Sequence, residues 1–340
     1  MKPSHSLFAL LAVLALNACK PAPEVPKAPE AKPDAKPVAA TQAEPPKPAP
    51  SAEKPEQDPT VAMFDSAAKT VDIGGFGSDQ PVERADLPTR GVITFGPDAV
   101  KYDPREHWEQ WDWKSFKATR SGRYAVRLTY KMKFNSLQTQ FRFGDQALKE
   151  ALRAAPTATK HYLGEIHIDK PGDYTFAMFA PASGSAAQLE ILELAFIPAP
   201  EGPVASQAAD GSLLLEAKTA TTWSENMRYE SKPEKNCLGY WTSEDDFAEW
   251  EFEVTKPGKF AVSVFHGCGG GNHGSEVALK IDGKEQTFTT QDTGGFQAWQ
   301  EIKLSPIEIK SAGKQRLSID PVSKKKDAVL DVQKVVLTPL

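Results

Sequence analysis

Beyond residue 60 the chain alternates apolar and polar positions in short runs, broken repeatedly by Gly, Pro, Ser and Asp. Glu249-Trp250-Glu251-Phe252-Glu253-Val254 has a period of two, breaks at Lys256-Pro257-Gly258, and resumes through Lys259–Val264. Trp113–Leu128 repeats the arrangement around Ser121-Gly122. Each is a strand, a tight turn and a second strand. Further along, Glu165–Phe176 around Lys170-Pro171-Gly172 parallels Glu301–Leu317 around Ala312-Gly313. Both halves close on an apolar strand ending in proline, Leu189–Pro198 and Ala328–Pro339. Helix-period patterning is nearly absent, with one helical turn expected around Ala147–Ala155. The pattern predicts an all-β chain of two tandem β-sandwiches, 61–199 and 207–340, with the boundary in the proline-bearing stretch Glu193–Asp210.

The first 60 residues follow other rules. Lys2 precedes the apolar run Leu7–Leu16, which is too short to span a bilayer and reads as a secretion signal over 1–18. It ends in Leu16-Asn17-Ala18-Cys19, which resembles a bacterial lipobox and makes Cys19 the expected lipidation site. Several acyl chains on such a cysteine anchor stably where one chain does not. Lys20 in place of an aspartate favours the outer over the inner membrane. Lys20–Thr60 then holds 12 Pro and 9 Ala with no aromatic, Leu or Ile. That composition buries too little apolar surface to offset chain entropy, so 19–60 is expected to be a disordered linker. In polyproline II, at ~3.1 Å per residue, it reaches on the order of 100 Å. These features predict a lipid-anchored protein of the bacterial cell envelope, held away from its membrane.

Composition narrows the chemistry. A net charge of −5 lacks the basic footprint that nucleic-acid binding needs. The chain has six histidines, no Gly-x-Ser-x-Gly elbow and no His-Glu-x-x-His, so no enzyme is expected. Gly269-Gly270-Gly271 is followed by Asn272-His273, not Gly-Lys-Ser/Thr, and is not a phosphate loop. With Cys19 lipidated, Cys237 and Cys268 remain, and outside the cytoplasm two such thiols are expected to pair as a disulfide. The alternative is a metal pair with His266 or His273, which lacks further ligands at metal spacing.

Several motifs of the second half stand in a recognisable order: Leu215-Glu216-Ala217-Lys218, Gly239-Tyr240, Lys256–Phe260, Lys280–Lys284, Thr293-Gly294-Gly295-Phe296-Gln297-Ala298-Trp299 and Leu330-Asp331-Val332. This half resembles the galactose-binding-like jelly roll, and most closely the family 6 and family 35 carbohydrate-binding modules. Asn236–Thr242 with Gly267–Gly271 also resembles domains appended to bacterial secreted sulfatases and glycosidases. The first half resembles the same fold through weaker motifs, with Leu163 where the second half has Trp299, and is degenerate as a sugar site although Tyr162 is adjacent.

The resemblance implies a sugar stacked on loop aromatics, since a sugar ring offers an apolar C–H face and a hydroxyl rim. It points to Tyr240 and Trp299 as the platform, with Trp241 a neighbouring alternative for the first. Asp327 stands where such modules carry an asparagine and can act only as an acceptor. Lys324, Lys325 and Lys326 beside it fit an anionic glycan, or are a solvated hairpin tip. The resemblance also implies a structural Ca²⁺ between Glu216 and Asp331, a site weakened by Lys218 where a second carboxylate belongs. No cofactor is required. Trp250, alternating with Phe252, reads as core, as do Trp111 and Trp113; Trp108 is freer. The expected function is non-catalytic polysaccharide binding at the envelope, with membrane attachment through the lipid only. The alternative is a structural lipoprotein whose sandwiches dock onto envelope proteins, and a hydrolase or lyase on a jelly roll comes third.

Overall fold

The computed structural model describes residues 70–340, except 183 and 185; the signal, Cys19 and the Pro/Ala-rich segment lie outside the described residues. The described residues are all-β, gathered around two main apolar cores, one in each half. No helix among the described residues is long and apolar enough to cross a membrane.

In the first half, Gly122–Phe143 and Gln146–Ile168 form one long hairpin that turns at Gly144 (φ 58°). A straight strand of that length would run roughly 70 Å. Register shifts between Val126 and Arg127, and on either side of Met132, bend it instead. Tyr124–Met132 therefore pairs with Leu189–Pro198, while Gln140–Phe143 pairs with Phe176–Pro181. One curled eight-stranded sheet thus supplies both walls of a core. The rings of Phe95, Phe116, Phe141, Phe176 and Phe196 meet inside it at 4.9–6.3 Å. Trp111 and Trp113 are buried there, as their alternation predicts, and Trp108 is half-buried.

The helical turn expected at Ala147–Ala155 is a strand. Ala147 pairs with Arg142 and Ala151 with Gln138, and Leu148 and Leu152 are buried. Alanine, leucine and lysine favour helix locally, but the hairpin's pairing and burial outweigh a preference of a few tenths of a kcal/mol per residue.

The second half is two facing six-stranded sheets. Phe247–Val254 alternates half-exposed and buried positions, so Trp250 and Phe252 face the core; the indole of Trp250 donates to the Glu216 carbonyl at 2.8 Å. In the opposite sheet, Asp331–Pro339 runs between Gly258–Cys268 on one side and Cys237–Gly239 and Leu213–Glu216 on the other.

The same register recurs in both halves. Gly122 pairs with Ile168 and Tyr124 with Pro198; Gly258 pairs with Ile309 and Phe260 with Pro339. The turns read from the sequence therefore start equivalent strands.

A third, small apolar cluster joins the halves: Tyr162, Ala195 and Ile197 of the first with Trp223 of the second, flanked by Phe76, Leu87 and Phe247. Buried Arg120 reaches across, donating to Tyr124 Oη at 2.8 Å, to the Met227 carbonyl at 3.3 Å and to Thr222 Oγ1. Arg90 pairs with Asp246 at 2.8 Å and Glu225 at 2.9 Å. A buried guanidinium needs such partners, because an unpaired one carries a large desolvation penalty.

Candidate functional site

The site is built at one end of the second sandwich by two irregularities of backbone. Cys237–Gly239 leaves its sheet through Tyr240, whose φ is 60°. A non-glycine residue in that left-handed region costs ~1–2 kcal/mol. The turn it makes gives two neighbours opposite fates. Tyr240 is 49% exposed, while Trp241 is 0% exposed in the core, with its indole donating to the Asp246 carbonyl at 3.0 Å. Trp241 is therefore packing, not platform, which corrects its place among the sugar-stacking candidates.

The second irregularity is a bulge. His266 pairs with Gln300 and Cys268 with Gly295, so Gly267 alone faces the four residues 296–299. A Cβ on Gly267 would stand 2.0 Å from the Phe296 carbonyl oxygen and 3.2 Å from the Trp299 ring. Only glycine admits the bulge. It carries Phe296 and Gln297 out to the end of the sandwich and folds Trp299 back against Gly267.

Between these features lies an open cleft of about 300 Å³, lined by Glu230, Lys235, Tyr240, Phe296, Gln297 and Asp331 among others. The Arg228 guanidinium sits 3.5 Å from the Tyr240 ring centroid, and Lys235 Nζ lies 5.8 Å from it. Glu230 is held by Lys235 at 2.6 Å. Its Oε2 lies over Gly239, where a Cβ would come within 2.5 Å of it and 3.4 Å of Asp331 Oδ1. Asp331 is 5% exposed; it accepts from Gln297 Nε2 at 3.0 Å and from the Cys237 thiol at 3.7 Å. Burial, and next the Glu230 carboxylate, push its carboxyl up to about 7, against the pull of the Cys237 and Gln297 hydrogen bonds. Burial, and next Asp331, push the Cys237 thiol well above its ordinary range. The hydrogen bond to Glu230 raises Lys235. The cleft thus offers aromatic faces, an amide, a paired ammonium and carboxylates capable of accepting hydroxyl hydrogen bonds.

The other sequence candidates fall as follows. Trp299 lies within the strand Gly295–Ile309 rather than on a loop; it is half-buried, outside the cleft lining, and makes no ring contact with Tyr240 among the described residues. Asp327 is exposed outside the lining; its N–H and that of Ala328 both donate to Asn272 Oδ1 at 3.0 Å. Lys324 Nζ donates to the Thr242 carbonyl at 2.7 Å, and Lys325 and Lys326 are exposed on the same turn. Glu216 pairs with Lys218 at 2.9 Å, while the carboxylate gathered beside Asp331 is that of Glu230. The pairing expected of Cys237 and Cys268 does not form; both are free and buried. Their strands flank the Asp331–Pro339 strand, Leu238 against Val332 and Gly267 against Asp331. Two strand spacings are roughly 10 Å, and a disulfide holds its Cα atoms within about 7 Å. Cys268 instead donates to the Val329 carbonyl at 3.8 Å. In the first half, Tyr162 is buried against Phe76 and hydrogen-bonded to Glu83 at 3.0 Å, and Leu163 is core.

Sequence reasoning missed Arg228, Glu230, Lys235, Phe296 and Gln297. Phe296 and Gln297 stood inside the motif already singled out, but the motif's tryptophan drew the assignment. The bulge at Gly267 decides which of them faces the cleft.

Residues 219–339 match the protein-family model described as a domain of unknown function, DUF5077. No curated protein matches the chain. The chain is similar to the family 35 carbohydrate-binding module from Clostridium thermocellum at 10% identity, over 37% of this chain and 97% of that one, with a TM-score of 0.32. It is similar to the C-terminal family 6 module of a marine laminarinase from Zobellia galactanivorans at 15% identity, over 37% and 98% of the two chains, TM-score 0.30. A Paenibacillus xanthan lyase is similar at 13% identity and TM-score 0.29 over 76% of this chain, which spans 26% of the lyase.

Proposed function

We propose that the second sandwich is a non-catalytic carbohydrate-binding module that holds a glycan in the Tyr240 cleft. The observation that carries this is the Tyr240 ring: half-exposed at an open cleft, stacked by Arg228, and sharing the cleft lining with a second aromatic, Phe296, and several polar groups. A tyrosine so held buries sugar C–H surface with little loss of rotamer freedom. Gln297, Glu230 and Asp331 accept or donate to the hydroxyl rim. The first sandwich, with Tyr162 sealed in the joint between the halves, serves as a mount. Lipid attachment at Cys19 and an envelope location are part of the same proposal and rest on the lipobox-like Leu16–Cys19 and the Pro/Ala-rich tether.

A glycan array probed with the full chain tests it, neutral and anionic polysaccharides side by side. Retention on at least one polysaccharide, competed by its own soluble oligosaccharides, is expected. Silence across the array sinks the proposal and leaves docking onto an envelope protein as the alternative.

A further inference from the structure

Glycan stacking uses Tyr240, with Gln297, Glu230 and Asp331 at the hydroxyl rim, but has no need of a thiol beneath the two carboxylates. Glu230, Cys237 and Asp331 each offer one ligand atom, and the three atoms lie within 4.8 Å of one another. They come from three strands of one sheet, Arg228–Glu230, Cys237–Gly239 and Asp331–Pro339, so the sheet pairing fixes their spacing. Cys237 Sγ and Asp331 Oδ2 stand 3.7 Å apart. On a tetrahedral zinc ion, with Zn–S near 2.3 Å and Zn–O near 2.1 Å, a sulfur and an oxygen ligand are about 3.6 Å apart.

A second observation is the space between them. Gly239 has no Cβ, and one placed there would meet Glu230 Oε2 at 2.5 Å and Asp331 Oδ1 at 3.4 Å. The two carboxylate oxygens therefore converge over a bare backbone, and the nearby cation, Lys235, engages Glu230 through Oε1 and not Oε2. The amide of Gln297 donates to Asp331 Oδ2, the oxygen beside Cys237, and leaves Oδ1 turned toward Glu230 Oε2, as an outer hydrogen bond orients a ligating carboxylate.

We propose that Glu230, Cys237 and Asp331 form a site for a thiophilic divalent cation of the zinc class at the floor of the cleft. The thiolate selects against Ca²⁺ and Mg²⁺, which take oxygen ligands, and favours Zn²⁺ or its spectroscopic substitute Co²⁺. Binding releases the Cys237 proton to solvent and leaves the fourth position facing the cleft, open to water or a ligand hydroxyl. The site shares Glu230 and Asp331 with the proposed glycan cleft, but it is read through Cys237 and does not depend on carbohydrate binding.

The test is Co²⁺ titration of the full chain under reducing conditions, followed by absorbance. One Co²⁺ per chain and a thiolate-to-cobalt charge-transfer band are expected, with displacement by Zn²⁺ and none by a tenfold excess of Ca²⁺. Cys237→Ser should remove the band, Glu230→Gln and Asp331→Asn should weaken Co²⁺ binding at least tenfold, and Cys19→Ser and Cys268→Ser should keep it intact. Absence of the band in the unsubstituted protein overturns the proposal without reliance on any variant's folding. So does a band that survives Cys237→Ser, one lost in Cys268→Ser, or one displaced by Ca²⁺.

Discussion

The carbonyl oxygen of Phe296 occupies the space that a side chain on Gly267 would need, 2.0 Å from the position of its Cβ. The end of the second sandwich depends on that contact, because the bulge it allows presents Phe296 and Gln297 to the cleft and leaves Trp299 half-buried against Gly267. Gly267→Ala is expected to force the bulge apart and to lower stability by about 2–3 kcal/mol, as overpacking does. Urea denaturation checks this. An unchanged midpoint would mean that the bulge relaxes freely.

Trp241 and Tyr240 should separate cleanly by stability. Truncating buried Trp241 to Ala removes a large core side chain and its hydrogen bond to Asp246, for an expected loss of about 3–5 kcal/mol. Tyr240→Ala removes a half-exposed ring, and the thermal midpoint should move by no more than a few degrees. Equal losses in the two variants would return Tyr240 to the core.

Asp331 makes stability depend on pH in metal-free, chelator-treated protein. Its folded carboxyl is raised to about 7, above the unfolded value, so its contribution is complete below the unfolded value and is lost as pH rises through 7. Stability should fall between pH 4 and pH 7 by at most about 1.4 kcal/mol per pH unit. Asp331→Asn should flatten that slope, and denaturant midpoints measured across this window show whether it does.

Arg120 bridges the two halves through Thr222 and the Met227 carbonyl while buried. Arg120→Ala leaves those acceptors unpaired and should lower stability by about 1–3 kcal/mol per group left unsatisfied. In calorimetry a single melting peak should broaden or split as the halves uncouple. A sharp, unshifted peak would show that the apolar cluster around Trp223 and Tyr162 joins them unaided.

The fold was legible because its signals are local. Period-2 alternation in Phe247–Val254 fixed which of Glu249, Trp250, Glu251 and Phe252 face inward, and Gly122 and Gly258 marked equivalent strand starts. What was not legible is set by long-range geometry. Whether Tyr240 or Trp241 faces out depends on one left-handed φ, and whether Phe296 or Trp299 lines the cleft depends on a bulge against Gly267. Cys237 and Cys268 looked like partners only until the strand order put Asp331–Pro339 between them. Glu230 and Asp331 are far apart in sequence, and only the pairing of Arg228–Glu230 with Cys237–Gly239 brings them together over Gly239. The Ala147–Ala155 stretch misled in the opposite sense, since its helix-favouring composition is overruled by a 22-residue partner strand.

The most direct test of carbohydrate binding at the cleft is isothermal titration of the full chain, unsubstituted and Tyr240→Ala, with the polysaccharide that the array selects. The account predicts at least a tenfold loss of affinity in Tyr240→Ala, with the thermal midpoint nearly unchanged. Equal affinity in the two proteins would contradict it and move the binding surface elsewhere on the molecule.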